Sequence, residues 1–222
     1  SALHFRSKLY RRNEAAALSD VLPILSDMGL RTLEEWGFAI RPQGDTPIHV
    51  DEFLLEDPRG ESLNFEDVSG VFEEAFVAVW NRRTESDGFN RLVLELGVSW
   101  RKAALIRTLA RYRQQTGLDP SQAVQEAALR DYPQAARAIL DLFHARFDPA
   151  FTGDREAAQT EIKARIEALL QGVASLDHDR ALRRIADLVS AIQRTNYYQT
   201  GPDGAPKPHI SIKIACREIE DL

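Results

Sequence analysis

An α+β fold with helices in the majority is what this sequence predicts, on three observations. Apolar and polar residues alternate in His4–Arg11 (HFRSKLYR): Phe5, Ser7 and Leu9 fall on one face, Arg6, Lys8 and Tyr10 on the other. From about residue 64 the apolar spacing becomes helical and stays so for most of the chain. A single alternating segment, His209–Ile214 (HISIKI), then stands alone near the end. A lone strand cannot satisfy its own backbone groups, so it demands a partner.

The elements follow in order. After the first strand, AALSDVLPILSDMG places Leu18, Val21, Leu22, Leu25 and Met28 at helical spacing. Gly29 suits the C-terminal cap, Pro23 the first turn, and Ser19 or Asp20 the cap before it. Leu30–Ile40 reads as a strand with a break near Trp36-Gly37, RPQGDTP as a turn, and Ile48–Leu55 as a further strand. Asn64 or Ser62 caps a helix to about Arg83, with Val68, Phe72, Ala75, Phe76 and Val79 on its stripe. Phe89–Leu96 forms a short helix closed by Gly97. Ser99 caps Trp100–Thr116, with Leu105, Leu109 and Tyr112 inward and Arg101, Lys102, Arg107, Arg111 and Arg113 on the outer face. Asp119-Pro120-Ser121-Gln122 opens another helix and Pro133 the next. Helices over Asp154–Gln171 and Asp177–Tyr197 complete the series, joined by short connections that favour antiparallel neighbours.

A β-α-β-β start is two elements short of the split β-α-β fold. The helix after residue 64 supplies the fifth element. His209–Ile214 supplies the sixth if it returns beside His4–Arg11; otherwise it opens a following domain. The expected organisation is an α/β unit over 1–60, a helical segment over 61–200, and a turn with the return strand over 201–222.

Composition excludes several classes. The 222 residues are 44% hydrophobic and 28% charged, which is globular. No apolar run reaches bilayer length and no signal-peptide pattern opens the chain, so no membrane partner is expected. A net charge of −6 argues against a nucleic-acid partner. Cys216 is the sole cysteine, which rules out an internal disulfide and a cysteine zinc site and fits a reducing cytoplasm. The only methionine is Met28 and the chain opens Ser1-Ala2-Leu3, which reads as a piece of something longer.

Chemistry-bearing patterns are few. There is no phosphate-binding glycine loop and no nucleophile elbow. In SLDHDR (Ser175–Arg180) two carboxylates flank His178, which suits a helix N-terminus better than a metal site. His49 and Asp51 alternate on one strand as a surface polar pair. The cluster Arg194, Thr195, Asn196 and Tyr197 sits where the last helix ends. It reads as a polar C-terminal cap, or as a binding or interface surface. No catalytic, cofactor-binding or metal-binding residue is assigned.

Five segments carry a resemblance: LSDVLPILSDMGLRTLEE, FEEAFVAVWNRRTESDGFNRLVLELGVSWRKAALIRTLARYRQQTG, ILDLFHARFDP, ASLDHDRALRRIADLVSAIQRTNYYQ and ISIKI. In this order they resemble the large bacterial NAD-specific glutamate dehydrogenases. Asp87–Tyr112 and Arg194–Gln199 are the most specific. The resemblance implies a parent enzyme that oxidatively deaminates L-glutamate with NAD as hydride acceptor. It also implies a homo-oligomer and regulatory ACT-like domains, to which the β-α-β-β start corresponds. The segment would lie just before the catalytic domain and would pack against the remainder of the same polypeptide. The family's Gly-Gly-x-x-Trp-Ser-like stretch, substrate lysines and Rossmann domain have no counterpart here, so no cofactor is expected on this segment. Two other readings are a stand-alone amino-acid sensor built on the ACT-like sheet, with an amino-acid effector, and a helical protein-interaction module with an exposed apolar face.

Overall fold

The computed structural model describes residues 4–42, 46–58, 65–117, 119 and 121–219. The expected caps Ser62 and Asn64, the opening Ser1-Ala2-Leu3, Pro120 and the final Glu220-Asp221-Leu222 lie outside them. Helices make up 54% of the described residues, as the spacing predicts. The chain forms two compact units, Ser1–Trp100 and Arg101–Leu222.

The first unit is a three-stranded antiparallel sheet with helices on one face. Strands β1 (His4–Arg12), β2 (Arg31–Ile40) and β3 (Ile48–Glu56) lie in the order β1-β3-β2. The registers run Phe5↔Leu55 to Arg12↔Ile48 and Arg31↔Glu56 to Ile40↔Ile48. Strand β2 is irregular at Thr32/Glu34, not at Trp36-Gly37, where the ladder continues. Helix α1 (Leu18–Asp27) and helix α2 (Phe65–Trp80) bury Val21, Leu25, Phe72 and Ala75, and the sheet contributes Phe53 and Leu55 to this core. Gly29 closes α1 at φ +85, with Leu30 N–H reaching back to the Leu25 carbonyl at 3.0 Å. Pro23 falls inside α1, beyond the first turn, and the cap position is Ala17. Ser19 and Pro23 are both exposed, so the carbonyl that loses its partner meets solvent. A 3-10 turn (Gly88–Arg91) and α3 (Leu92–Leu96) follow, and Gly97 ends α3 at φ +59.

The sheet's other face is open. Alternation and register put Tyr10, Val50 and Phe38 in one cross-strand row, with Trp36 and Ile40 on the same face. Tyr10, Trp36, Phe38 and Ile40 are 41–62% exposed. Arg6 stacks over Trp36 at 5.3 Å and donates to Glu52 at 2.8 Å, which holds the Glu52 carboxyl below its usual range. Asp51 corrects the expected surface pairing with His49: it is buried on the helix-bearing face and accepts from Ala16 N–H at 3.2 Å.

The second unit is helical. Helix α4 (Trp100–Gln115) enters it and is followed by α5 (Gln122–Asp131), α6 (Pro133–Phe147), α7 (Arg155–Leu170) and α8 (Leu176–Ala191). Consecutive helices from α5 to α8 are in contact, and α8 also meets α5 and α6. Leu105, Leu109, Ile139, Leu142, Phe143, Leu182, Ile185 and Leu188 are fully sealed. Asp154 and Ser175 cap α7 and α8, each accepting from N–H groups of the first turn.

The basic face of α4 departs from expectation. Arg107 is 5% exposed and Arg113 0%, so both point inward. Arg113 is compensated by Asp119, also 0% exposed, through Nε to Oδ2 at 2.8 Å and Nη2 to Oδ1 at 3.1 Å. A bidentate guanidinium–carboxylate pair is the geometry that makes a buried arginine tolerable.

Helix α8 ends at Ala191, six residues before Tyr197. The chain then turns extended as β4 (Ile192–Thr195), which pairs antiparallel with β5 (Ile212–Ile214). The last strand therefore does not return to β1. Strand β1 pairs with β3, and the backbone demand of β5 is met locally. Isoleucine and threonine at the ends of β4 favour the extended form. No helix among the described residues is long and apolar enough to cross a membrane.

Candidate functional site: a hairpin held by helix side chains

The hairpin β4–β5 gathers the polar-aromatic cluster anticipated from sequence, though as strand and turn in place of a helix cap. Its ladder is short: Ile192↔Ile214, Arg194↔Lys213 and Thr195↔Ile212, with an irregularity after Ile192. Arg194 is exposed on this strand. The Thr195 hydroxyl donates to the Ser211 carbonyl at 2.9 Å and accepts from Tyr197 N–H at 3.1 Å. Asn196 extends the ladder with its side chain. Its Nδ2 donates to the His209 carbonyl at 3.1 Å, and its Oδ1 accepts from Ser211 N–H at 2.7 Å. Beyond it, Lys207 N–H reaches the Gln199 carbonyl and Gly201 N–H the Ala205 carbonyl, closing the connecting loop.

Three side chains from the helices then fix the hairpin from outside. Arg101, in the first turn of α4, donates to the Lys207 carbonyl at 2.9 Å and the Tyr197 carbonyl at 3.2 Å. Its guanidinium also lies 5.2 Å from the Tyr197 ring centroid. Arg146 on α6 donates to the Ile192 carbonyl at 2.8 Å. His144, two residues earlier, is hydrogen-bonded through Nδ1 to the Tyr198 hydroxyl. Phe143 underlies all of this, edge-on to Tyr197 at 5.4 Å and stacked with Tyr198 at 6.3 Å.

The electrostatics make the cluster neutral apart from its arginines. Burial, reinforced by Lys102, holds the His144 imidazole below its ordinary pKa, against the opposing pull of Asp148 and Asp141. Burial pushes the Tyr197 phenol up to about 12, and it raises Tyr198 too, with Asp148 adding to the effect. A neutral imidazole accepting at Nδ1 carries its proton on Nε2, and that atom is buried with no hydrogen-bond partner. The arrangement holds the hairpin backbone in place.

Elsewhere the sequence-level candidates separate. His178 lies 3.7 Å from Asp131, and Asp179 pairs with Arg183 at 3.1 Å. Among the described residues no three His, Cys, Asp or Glu converge as metal ligands. Arg101, His144, Arg146 and Tyr198 complete the hairpin site without having been singled out for it. The available signal was that His144 and Arg146 flank the apolar stripe carrying Ile139, Leu140 and Phe143.

Comparison with known proteins agrees with this layout in chain order. Residues 1–68 match the glutamate dehydrogenase ACT3 domain, and residues 84–149 match glutamate dehydrogenase helical motif 3. Residues 165–222 match the bacterial NAD-glutamate dehydrogenase catalytic domain. That last match corrects the expectation that the segment lies wholly before the catalytic domain: it takes in the C-terminal end of α7, all of α8 and the hairpin. The NAD-specific glutamate dehydrogenase of Halomonas elongata is 36% identical over 218 residues, covering 97% of this chain and 13% of that protein. The enzyme of the same name from Pseudomonas aeruginosa is 35% identical over 218 residues, covering 97% and 14%. That from Mycobacterium tuberculosis is 36% identical over 219 residues, covering 93% and 13%. The chain thus spans 13–14% of the length of these relatives. It belongs to the bacterial NAD-glutamate dehydrogenase family, as a segment running from the ACT3 domain through helical motif 3 into the catalytic-domain sequence.

Proposed function

We propose that this segment is a regulatory and assembly element of a cytoplasmic NAD-dependent glutamate dehydrogenase, and that it contributes no reacting group. The parent reaction converts L-glutamate, NAD and water to 2-oxoglutarate, ammonia and NADH. The observation that carries the reading is the hairpin clamp. Arg101, His144 and Arg146 all lie within the helical-motif match, and the backbone they hold lies within the catalytic-domain match. The helical motif therefore acts as the template on which the first strands of the catalytic-domain sequence are set. Precise placement of that kind is worth large factors in rate when it sits upstream of a reacting site.

The purified chain is expected to produce no NADH from glutamate and NAD; production above a protein-free control would overturn the reading. In the full-length dehydrogenase, Arg101→Met is expected to lower kcat while leaving the oligomer intact. An unchanged kcat would remove the templating role. An amino-acid effector at the β1-β3-β2 sheet and homo-oligomer formation belong to the same proposal. Calorimetry with a panel of amino acids tests the first, and light scattering of the parent enzyme tests the second.

A further inference from the structure

The edge of β1 that faces away from β3 is where the first unit is incomplete. Among the described residues β1 pairs only with β3 and stands at one end of the sheet. Its register runs through nine residues without a bulge, and HFRSKLYRR contains no proline. Every second residue of such an edge points its N–H and C=O away from the sheet, ready to pair. The split β-α-β topology puts a fourth strand at this place, and β5, the strand expected to fill it, is paired with β4 instead.

Burial marks the same gap. On the helix-bearing face Asp51 and Phe53 of β3 are buried, whereas Leu9 and Ser7, opposite them on β1, are only half-buried. A cleft of about 210 Å³ opens beside them, lined by Leu9 and Phe53 of the sheet and by Phe72, Phe76 and Val77 of α2. Phe76 stacks on Trp80 at 6.0 Å, and Val77 is 51% exposed. Ligand pockets usually enclose about 300–1,000 Å³, so this cleft suits a few aliphatic side chains better than a bound metabolite.

The other face of β1 sets the charge of a partner. Arg6 and Lys8 share the single carboxylate of Glu52, at 2.8 and 3.3 Å, and β1 itself contains no acidic residue. Two copies meeting edge to edge at β1 would set these cations side by side, which is destabilising. Joining β1 to the β2 edge of another copy would be a head-to-tail contact that leaves the same two edges open again. In the relatives, by contrast, most of the polypeptide lies outside the matched region, since this chain covers 13–14% of their length.

We propose that β1 is extended by a further strand of the parent polypeptide from outside residues 1–222, with apolar side chains toward α2 and acidic ones toward Arg6 and Lys8. The three-stranded sheet keeps its own ladder and core, and the added strand covers what they leave open. The proposal does not depend on the templating role assigned to the hairpin.

Hydrogen exchange of the full-length dehydrogenase against the 222-residue chain tests it. The β1 amides from Ser7 to Arg11 should exchange about tenfold more slowly in the full-length enzyme, as a strand edge does when it gains a partner. Val77→Asp puts a charge into the cleft at an exposed position. In the full-length enzyme it should return β1 to the exchange rate of the 222-residue chain, while leaving the melting curve of that chain unchanged. A photo-crosslinker at Val77 of the full-length enzyme should capture a segment outside residues 1–222 in which apolar and acidic residues alternate. Equal β1 exchange in the two wild-type proteins overturns the proposal, as does capture of β1 or β2 from a second copy, or of no segment.

Discussion

The two sheets of this molecule are stabilised in opposite ways. The β1-β3-β2 sheet has nine-residue registers on both sides of β3 and buries Phe53 and Leu55 against helices. Its ladder and its core are its own. The β4–β5 hairpin has three paired positions and an irregularity among them. A two-stranded ribbon of that length is not stable by itself in water. It exists because Phe143, Arg101, Arg146 and His144 hold it from the helices. Long strands with alternating burial specify themselves, whereas a short ribbon takes its conformation from what it is docked on.

The sharpest break of this comparison is Phe143→Ala. The ring is fully buried beneath Tyr197 and Tyr198, and truncation of a sealed phenylalanine costs about 3–5 kcal/mol. Amide exchange at Asn196 and Ser211 should rise far more than at Val50 or Phe53. Equal loosening of both sheets would show that the hairpin is not separately dependent on its dock. Next in size is Arg101→Met, which removes two carbonyl hydrogen bonds and a cation–π contact. The expected cost is about 2–3 kcal/mol, read as a lowered urea midpoint with an unchanged slope.

The pH dependence separates the two regions again. Burial lowers the His144 pKa below 6.5, so the unfolded chain takes up that proton first on acidification. The stability from this group is complete above 6.5, falls as the pH drops from there through the depressed folded value, and levels off below it. Tyr197 gives the alkaline limb: with its folded pKa raised from 10.0 to about 12, its contribution is full below 10 and declines above it. Urea midpoints measured from pH 7 to pH 5 should fall in the wild type more than in His144→Leu. Parallel curves would remove His144 as the acid-sensitive group.

The same contrast explains what the sequence could and could not convey. The β-α-β-β start was legible because its signals are local: alternation in His4–Arg11, helical spacing from Leu18 to Met28, and Gly29 at positive φ. The end of α8 was not. Leu188 and Ile192 are four apart, so the helical stripe continues smoothly past the point where the backbone turns extended at Ile192. The partner that decides the matter, β5, begins seventeen residues beyond Thr195 in the chain. Arg113 failed for the same kind of reason. A charge in a basic helix reads as solvated until its carboxylate is found, and Asp119 reaches it only after the helix has ended. Of the site, Arg194–Tyr197 was visible as a cluster, while the side chains that hold it were visible only as members of other helices.

The smallest expected effect sharpens the comparison from the other side. Phe38 is 48% exposed on the open face of the long sheet, in the row with Tyr10 and Val50. If that sheet specifies itself through its ladder and its helix-covered face, Phe38→Ser should change stability by only about 0.5 kcal/mol. It should also reduce self-association at high concentration, because it interrupts an exposed apolar row shared with Trp36 and Ile40. Thermal melting and light scattering of the same sample read both quantities. A loss several times larger would mean that the open face stabilises the sheet as much as the covered one does. The long sheet would then depend on its exposed aromatic rows as the hairpin depends on its arginines, and the distinction between a self-specified and a docked sheet would fail.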